Sequence, residues 1–336
     1  MAATSLTPAL QRLAKEGASC LGAPVEHIEP GQLIRRPFSD VLRARVITAR
    51  GEQVVYCKTF RSPAGDPTSF ERLRFRVERE FRETARAYQA FAGQPGFAPL
   101  EPVALYPDLL ALVTKEVDGE PFSDLLARTS RRWSRGDLQE AVRAAALIGQ
   151  WLRTYQLAPA EPQRLSITDL REYVDSRLAR LERERVAGFA VGRREQIVQE
   201  FDAWASRLES SDLDALPVHA DFCPENILVH KGAISVIDFA MAKRGLRHLD
   251  LSHLLIHLDF RRGRTWKQDS LAAIRRSLLD GFGDPGVTES PGFRLAVLVH
   301  VAALMADRLN RASRLRAAKN LWLAPQIRRC LEFVHA

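Results

Sequence analysis

The spacing of apolar residues changes character about a third of the way along the 336-residue chain. Residues 42–60 place β-branched and aromatic side chains on both sides of Gly51, a pattern that predicts two strands joined by a turn. A further strand-rich run stops at the turn glycine Gly119. Beyond it, apolar residues recur mostly at helical spacing. We therefore predict an α+β protein that divides into residues 1–117 and 118–336.

Helical periodicity is clear in several segments. The segment from Phe70 to Phe91 is heavily charged, yet its second half carries an apolar stripe formed by Phe81, Ala85, Tyr88 and Phe91. Ser134 and Asp137 have the spacing of a capping box and precede a helix that should end near Pro159.

Two other apolar segments bear on where the protein resides. Residues 5–14 have the pattern of a short amphipathic helix rather than of an export signal. The apolar run 295–305 is too short to cross a bilayer and predicts a buried helix. The four cysteines lie far apart, so neither a zinc site nor a disulfide framework is indicated. A cytoplasmic protein is expected.

The stretch HADFCPENILV, residues 219–229, contains residues that indicate catalytic or metal-binding chemistry. The apolar runs 227–229 and 233–237 flank a tight turn ending at Gly232, which predicts a β-hairpin. Antiparallel pairing around that turn brings Asn226 and Asp238 together at the open end of the hairpin. An amide oxygen and a carboxylate are hard ligands suited to Mg²⁺.

Three more residues extend this set. Asp221 lies five residues before Asn226, the interval of the H-R-D-x-x-x-x-N loop in which Asp accepts a hydroxyl proton and Asn holds metal. Lys58 is a cation in the middle of an apolar strand, and Glu83 lies beside the apolar stripe of the next helix. Alone, such a lysine is as often an exposed edge residue; together the residues indicate phosphoryl transfer.

At this point the chain resembles a known family. HADFCPENILV, with VIDFAMAKRG and HLDLSHLL, is similar to the aminoglycoside phosphotransferase and choline kinase group of the protein-kinase-like fold. The similarity extends upstream through PFSDVLRARV, VVYCKTF, RETARAYQAF and LVTKEVDGEPF, and covers roughly residues 34–260. It implies two lobes, a nucleotide-binding lobe of antiparallel strands with a bridging helix in residues 1–117 and a larger helical lobe with the catalytic loop and substrate site in residues 118–336.

The resemblance also implies roles for individual residues. Asp221 would be the catalytic base, with His219 orienting its loop and Asp250 holding it. Asn226 and Asp238 would bind Mg²⁺. Contacts to ATP would come from Lys58 paired with Glu83, from Ser39 over the phosphates, and from the backbone of Glu116 and Val117 at adenine. Glu80 and Glu78 are rivals to Glu83. The sequence has no G-x-G-x-x-G, D-F-G or A-P-E, which argues against a kinase acting on proteins.

Charge bears on the acceptor. The net charge is +8, and the segment from Arg261 onward holds 14 Lys/Arg against 6 Asp/Glu. A basic region disfavours a polycationic aminoglycoside and favours a neutral or anionic acceptor, such as a sugar, a sugar phosphate or a glycolipid headgroup. It could also contact an anionic membrane surface or be a solvated helix face. Few aromatics are interleaved with it, so nucleic acid is not expected.

Two further interpretations of the sequence stand beside this one. His248, His253 and His257 suggest a metal cluster, but no Glu follows His253 as in H-E-x-x-H, so the pattern favours core or surface histidines. A catalytically silent kinase-like protein that binds a nucleotide or a partner is the alternative to an active enzyme. It would show Mg²⁺-dependent stabilisation without turnover.

Overall fold

The computed structural model describes residues 7–61, 67–131, 135–157, 162–260, 268–312 and 319–334. The chain forms two compact units. The first contains the residues up to Phe122 together with Glu225–Ala242, and the second contains Ser123–Pro224 together with the chain from Lys243 onward. The predicted boundary between residues 117 and 118 stays a prediction of the domain organisation.

The first unit is built mainly of antiparallel strands. Its elements are α1 (Pro8–Leu21), β1 (Val25–Arg35), β2 (Ser39–Thr48), β3 (Gly51–Phe60), α2 (Pro67–Phe91), β4 (Pro102–Tyr106), β5 (Ala111–Lys115), β6 (Glu120–Pro121), β8 (Ile227–His230) and β9 (Ala233–Val236). Five strands form one sheet in the order β1-β2-β3-β5-β4, and β6, β8 and β9 form a second. The predicted turn before Gly51 is confirmed, since Thr48 pairs with Gly51 across a two-residue loop.

The five-stranded sheet has an apolar cluster on each face. On one face Val55 and Cys57 of β3 pack with Leu10 and Leu13 of α1. On the other face Phe60 packs with residues of α2, β5 and the segment after β9. Side chains of β3 therefore enter the two clusters according to the period-two alternation of a strand.

The first helix follows from local chemistry. The Thr7 hydroxyl accepts the N–H of Leu10 at 3.3 Å, which caps the helix amino terminus. Gly22 follows with φ +72°, the left-handed conformation that commonly ends a helix. The predicted amphipathic helix is confirmed over the described residues. Leu6, which belongs to the same sequence pattern, lies outside them.

The second unit is mostly helical. Its elements are α3 (Phe122–Arg131), α4 (Arg135–Leu157), α5 (Ile167–Arg183), α6 (Arg193–Ala205), β7 (Leu216–Val218), β10 (Lys243–Gly245), α7 (Leu249–Asp259), α8 (Gln268–Phe282), α9 (Pro291–Ala312) and α10 (Lys319–Glu332). β7 and β10 pair antiparallel. The predicted helix after Asp137 is α4, although Ser134 of its capping box and Pro159 lie outside the described residues.

The predicted buried helix around residues 295–305 is α9, most of whose residues are buried. Within the described parts of the chain, no helix combines the length and the apolar character needed to span a membrane.

Helices α4 and α8 approach closely through glycines. A Cβ on Gly149 of α4 would overlap the carbonyl oxygen of Leu278 and would lie 2.5 Å from the backbone nitrogen of Phe282. A Cβ on Gly281 of α8 would likewise overlap the carbonyl oxygen of Ala146. Backbone atoms cannot move aside as a flexible side chain can, so both glycines are required by this contact.

We expect Gly149→Ala to lower the free energy of unfolding by about 1–3 kcal/mol, because the added methyl group forces α4 and α8 apart. Gly286→Ala is the matched control, since Gly286 has an ordinary φ of −88° and its added Cβ would meet only Asp284 Oδ1, at 3.7 Å. That variant should stay within about 0.5 kcal/mol of the wild type in urea unfolding. Equal losses in the two variants would contradict the proposed helix contact.

Candidate active site

Lys58 lies on β3, the central strand of the five-stranded sheet, and is not the exposed edge residue of the alternative interpretation. Its Nζ is 2.8 Å from Glu80 Oε1 and 2.7 Å from Asp238 Oδ1. The side chain of Lys58 is 16% exposed and that of Glu80 5%, whereas that of Asp238 is 43% exposed. One cation thus joins a buried carboxylate on α2 to a partly exposed carboxylate that follows the β8–β9 hairpin.

The sequence-based assignment of Glu83 as the partner of Lys58 is wrong. The structure places Glu80 there, one helical turn earlier, while Glu83 pairs with Arg86 at 2.5 Å. The cause is the position of the buried stripe of α2. That stripe consists of Val77, Glu80, Thr84, Ala87 and Phe91. Because two of its members are polar, a search for apolar residues at helical spacing shifts the stripe and selects the wrong glutamate.

Burial and charge oppose each other at this ion pair. Burial lowers the pKa of Lys58, but the carboxylates of Glu80 and Asp238 outweigh that effect and raise it above its ordinary value. Burial raises the pKa of Glu80, and the ammonium of Lys58 opposes that shift. Lys58 therefore stays cationic, the form that its predicted contact with phosphate oxygens requires.

The β8–β9 hairpin has the predicted register. Ile227 pairs with Val236, and Lys231 and Gly232 form the turn with φ values of +45° and +79°. Positive φ at both central residues is the requirement of a type I′ turn. Beyond the pairing, the N–H of Ile237 donates to the carbonyl oxygen of Asn226 at 3.0 Å. The backbones of Asn226 and residue 238 are thus neighbours at the open end of the hairpin, as predicted.

The metal assignment fits the donor chemistry of these two residues. Asp238 has a φ of +64°, a conformation that Asp adopts more readily than most residues. Its carboxylate is partly exposed and faces Lys58. A carboxylate and an amide oxygen are the hard donors that Mg²⁺ selects, and a neighbouring ammonium suits phosphate oxygens. Asn226 and Asp238 therefore remain the predicted magnesium ligands.

The loop that carries Asp221 belongs to the second unit. It begins after β7, where Asp250 of α7 accepts the N–H of His219 at 2.7 Å and that of Ala220 at 2.8 Å. Ala220 has a φ of +61°, so the backbone turns sharply just before Asp221. The implied role of Asp250 in holding this loop is confirmed by these two hydrogen bonds. His219 is itself fully buried.

Aromatic packing fixes the other side of the loop. The ring of Phe222 stacks on Trp151 of α4 with centroids 5.3 Å apart, and His219 meets Phe222 edge-on at 5.8 Å. The N–H of Cys223 donates to the carbonyl oxygen of Asp221 at 3.0 Å. Asp221 is thus carried by a loop whose flanking residues are anchored by hydrogen bonds and ring contacts.

The buried carboxyl of Asp250 predicts a pH dependence of stability. Burial raises its pKa from the ordinary 3.8 to about 7, against the opposing effect of the two N–H donors. Between about pH 4 and pH 7 the folded protein holds a proton that the unfolded chain has released. This group therefore makes the free energy of unfolding fall as the pH rises through that window.

We expect Asp250→Asn to remove that contribution. In urea unfolding, the stability of the wild type relative to the variant should decrease from about pH 4 to pH 7 and be level below pH 4. The amide has one acceptor oxygen fewer, so a constant offset between the two proteins is also expected. A difference that stays constant across the whole range would contradict the raised pKa.

Ser39, Glu116 and Val117 all lie in the first unit. Ser39 is buried at the start of β2, where its carbonyl oxygen accepts the N–H of Arg36 at 2.8 Å. The N–H of Glu116 donates to Val54, and its carboxylate holds Arg43 at 2.7 Å. Arg43 lowers the pKa of Glu116. The contact of Ser39 with phosphates and those of Glu116 and Val117 with adenine stay predictions. At Glu116 the predicted backbone contact would use the carbonyl group, because the N–H already donates to Val54.

The second unit contains a cavity that the sequence did not predict. Its volume is about 290 Å³. It is lined by residues before and within α5, by β10 and by the start of α7. Its lining contains three cations and one carboxylate among the described residues, namely Arg164, Lys243, Arg244 and Asp169. The pair Lys243-Arg244, close behind Asp238 in the sequence, is the signal that could have indicated it.

This cavity adjoins the strand that leads to Asp221. Lys243 of β10 pairs with Val218, the last residue of β7, and Asp221 follows three residues later. Two cations lie near the ring of Tyr173, with Arg177 Cζ 3.3 Å and Lys243 Nζ 5.9 Å from its centroid. The cavity is therefore a basic compartment beside the strand that leads into the loop carrying Asp221.

Comparison with known proteins shows that a protein-family model matches this chain. Residues 69–289 match the family model described as the phosphotransferase enzyme family. The match includes Lys58's partner Glu80 and the whole segment from Asp221 to Asp250, but begins after Lys58 itself. No curated protein sequence matches the chain.

Solved structures share the fold at low sequence identity. A Ralstonia eutropha protein provisionally named an aminoglycoside phosphotransferase is 13% identical, with a TM-score of 0.62 over 97% of this chain and 98% of that one. A choline/ethanolamine kinase family protein from Mesorhizobium loti is 13% identical, with a TM-score of 0.56 over 97% and 95%. The aminoglycoside phosphotransferase APH(2″)-IIa, solved with streptomycin and ATP, is 13% identical, with a TM-score of 0.54 over 99% and 97%. The predicted protein-kinase-like fold is confirmed.

Proposed function

This chain belongs to the phosphotransferase enzyme family, and from that premise we propose that it is an ATP- and Mg²⁺-dependent kinase that phosphorylates a hydroxyl group of a small molecule. The observation that carries the proposal is the contact of Lys58 with both Glu80 and Asp238. A buried lysine held between a helix carboxylate and a metal-binding carboxylate is the arrangement that phosphoryl transfer uses. The APH(2″)-IIa structure contains ATP, which supports the choice of nucleotide.

The proposed roles follow from the chemistry of each side chain. Lys58 binds phosphate oxygens, and Glu80 keeps its ammonium in place. Asn226 and Asp238 hold Mg²⁺, which supplies positive charge to the phosphate oxygens when bound. Asp221 accepts the proton of the acceptor hydroxyl as the new oxygen–phosphorus bond forms and the bond from the γ-phosphorus to the bridging oxygen breaks, releasing ADP.

The acceptor is proposed to be neutral or anionic. The cavity beside β10 has more cationic than anionic side chains in its lining. A polycationic aminoglycoside would be repelled there, whereas a sugar, a sugar phosphate or a glycolipid headgroup would be tolerated or attracted. Streptomycin is present in the APH(2″)-IIa structure, so the acceptor preference would separate this chain from that enzyme.

An acceptor panel tests this function. ADP release is measured with Mg²⁺ and ATP against neutral sugars, sugar phosphates, glycolipid headgroups and aminoglycosides. We expect turnover that requires both Mg²⁺ and an acceptor, with neutral or anionic acceptors ahead of aminoglycosides. Preference for aminoglycosides would overturn the acceptor class alone. Mg²⁺·ATP raising the melting temperature with no turnover on any acceptor would favour the catalytically silent alternative.

A further inference from the structure

Three histidines converge between two helices of the second unit, and none of them is among the candidate site residues described above. His253 and His257 are four residues apart on α7 and therefore share one face of the helix. His300 lies on α9, which packs against α7. One ring nitrogen from each residue lies within 4.8 Å of the other two. The sequence pattern grouped His248 with His253 and His257 and favoured no metal because no Glu follows His253; the structure replaces His248 by His300, which a different helix supplies.

The rings are in direct contact. Nε2 of His253 is 3.1 Å from Nε2 of His257, and the rings of His253 and His300 have centroids 4.0 Å apart. Within the described part of the chain, Nε2 of His300 is buried and has no hydrogen-bond partner. A buried polar nitrogen without a partner is unfavourable, so this cluster carries a penalty that a bound ligand could remove.

Burial keeps the imidazoles of His253 and His300 neutral, which is the form that binds metal. Burial lowers the pKa of His300 to about 3 and that of His253 well below its ordinary value. A water or an anion would satisfy only some of the nitrogens, whereas a cation accepts a lone pair from all three. The half-buried His257 leaves one side of the cluster open to solvent.

We propose that His253, His257 and His300 form a binding site for a borderline transition-metal ion of the Zn²⁺ class. Three imidazoles without a carboxylate suit Zn²⁺, Co²⁺, Ni²⁺ or Cu²⁺ and do not suit Mg²⁺ or Ca²⁺, which require oxygen ligands. The site is thus chemically distinct from the proposed magnesium site at Asn226 and Asp238. It does not depend on the proposed enzymatic function.

The geometry is close to what such an ion needs. Zn–N bonds of about 2.0–2.1 Å in a tetrahedral site put ligand nitrogens about 3.3 Å apart. The nitrogens of His253 and His257 are already at 3.1 Å, and all three lie within 4.8 Å. Three protein ligands leave the fourth tetrahedral position for water, as in open zinc sites.

The test uses untagged, chelator-stripped full-length protein in excess Mg²⁺, which occupies the proposed magnesium site. Titration with Co²⁺ should give the visible absorption of a nitrogen-ligated tetrahedral ion at one equivalent per chain, and Zn²⁺ should displace it. His257→Ala should weaken binding about 100-fold, the scale on which metal sites respond to lost support. His257→Asp, which restores a ligand, should recover part of the affinity.

His27→Ala is the matched control, because His27 is exposed on β1 of the first unit. Its cobalt spectrum and affinity should equal those of the wild type. Zn²⁺ should raise the melting temperature of the wild type and of His27→Ala but not that of His257→Ala. Melting of the metal-free His257→Ala protein shows whether that variant is folded, and His253→Ala replaces it if it is not. The proposal would be overturned if the wild type did not bind Co²⁺ at one equivalent per chain. It would also be overturned if His257→Ala or His253→Ala bound the ion as tightly as the wild type.

Discussion

Replacing Asp221 by asparagine is expected to lower kcat by about 10²–10⁴-fold while leaving nucleotide affinity nearly unchanged. Asparagine has almost the same shape but cannot accept the proton of the acceptor hydroxyl. The loop should keep its conformation, because Asp250 holds the backbone of His219 and Ala220 just before residue 221. The loss should therefore be confined to the chemical step.

Steady-state kinetics with the best acceptor of the panel measure this effect, and titration with a fluorescent ATP analogue measures nucleotide affinity. Asp280→Asn is the control, since Asp280 is exposed on α8 of the same unit. It should have wild-type kcat. A variant at Asp221 that retains full turnover would remove this residue from the mechanism, and a large loss of nucleotide affinity would assign it to binding instead.

The hairpin around Gly232 could be predicted because all its determinants are local. Two short apolar runs and a glycine turn fix the register within about a dozen residues, and register then dictates which residues meet at the open end. Asn226 and residue 238 are neighbours for that reason. Lys58 could be found in the same way, because a lysine in an apolar strand stands out against its neighbours.

The partner of Lys58 could not be predicted with the same certainty. The phase of a helix is inferred from its apolar residues, and α2 buries Glu80 and Thr84 in the middle of its packed stripe. Burying a carboxylate is unfavourable unless a cation lies opposite it, and that cation is on a strand more than twenty residues earlier. The compensation is a tertiary contact, so no periodicity within the helix reveals it.

The basic cavity and the histidine cluster were beyond sequence reasoning for a related reason. Each is assembled from segments that are distant in the sequence: β10 with α5 and α7 in the first case, and α7 with α9 in the second. His253 and His257 are visible as a pair at i, i+4, but helix packing selects His300 among the other histidines. A single histidine in the sequence does not indicate which residues of another helix will lie beside it in the fold.

Glu80 and Glu83 offer a direct test of the corrected ion pair. We expect Glu80→Gln to lower kcat/KM for ATP about 100-fold, because Lys58 loses its buried carboxylate and its ammonium is no longer held in place for phosphate. Glu83→Gln is the matched control, with the same substitution on the same helix, and it removes a carboxylate that pairs with Arg86 and not with Lys58. Its kcat/KM should remain within about twofold of the wild type, since such a partly exposed pair contributes little.

Asp238, the second carboxylate partner of Lys58, allows a further test of the Glu80→Gln variant. In Glu80→Gln, Lys58 still has Asp238 at 2.7 Å in the native arrangement, so its ammonium would be drawn toward the proposed magnesium ligand. We therefore expect the variant to need more Mg²⁺ for half-maximal activity, an effect that simple loss of stability would not produce. If Glu83→Gln were the impaired variant and Glu80→Gln the active one, Glu83 would be the functional partner of Lys58 and the pairing seen in this structure would not be the one used in catalysis.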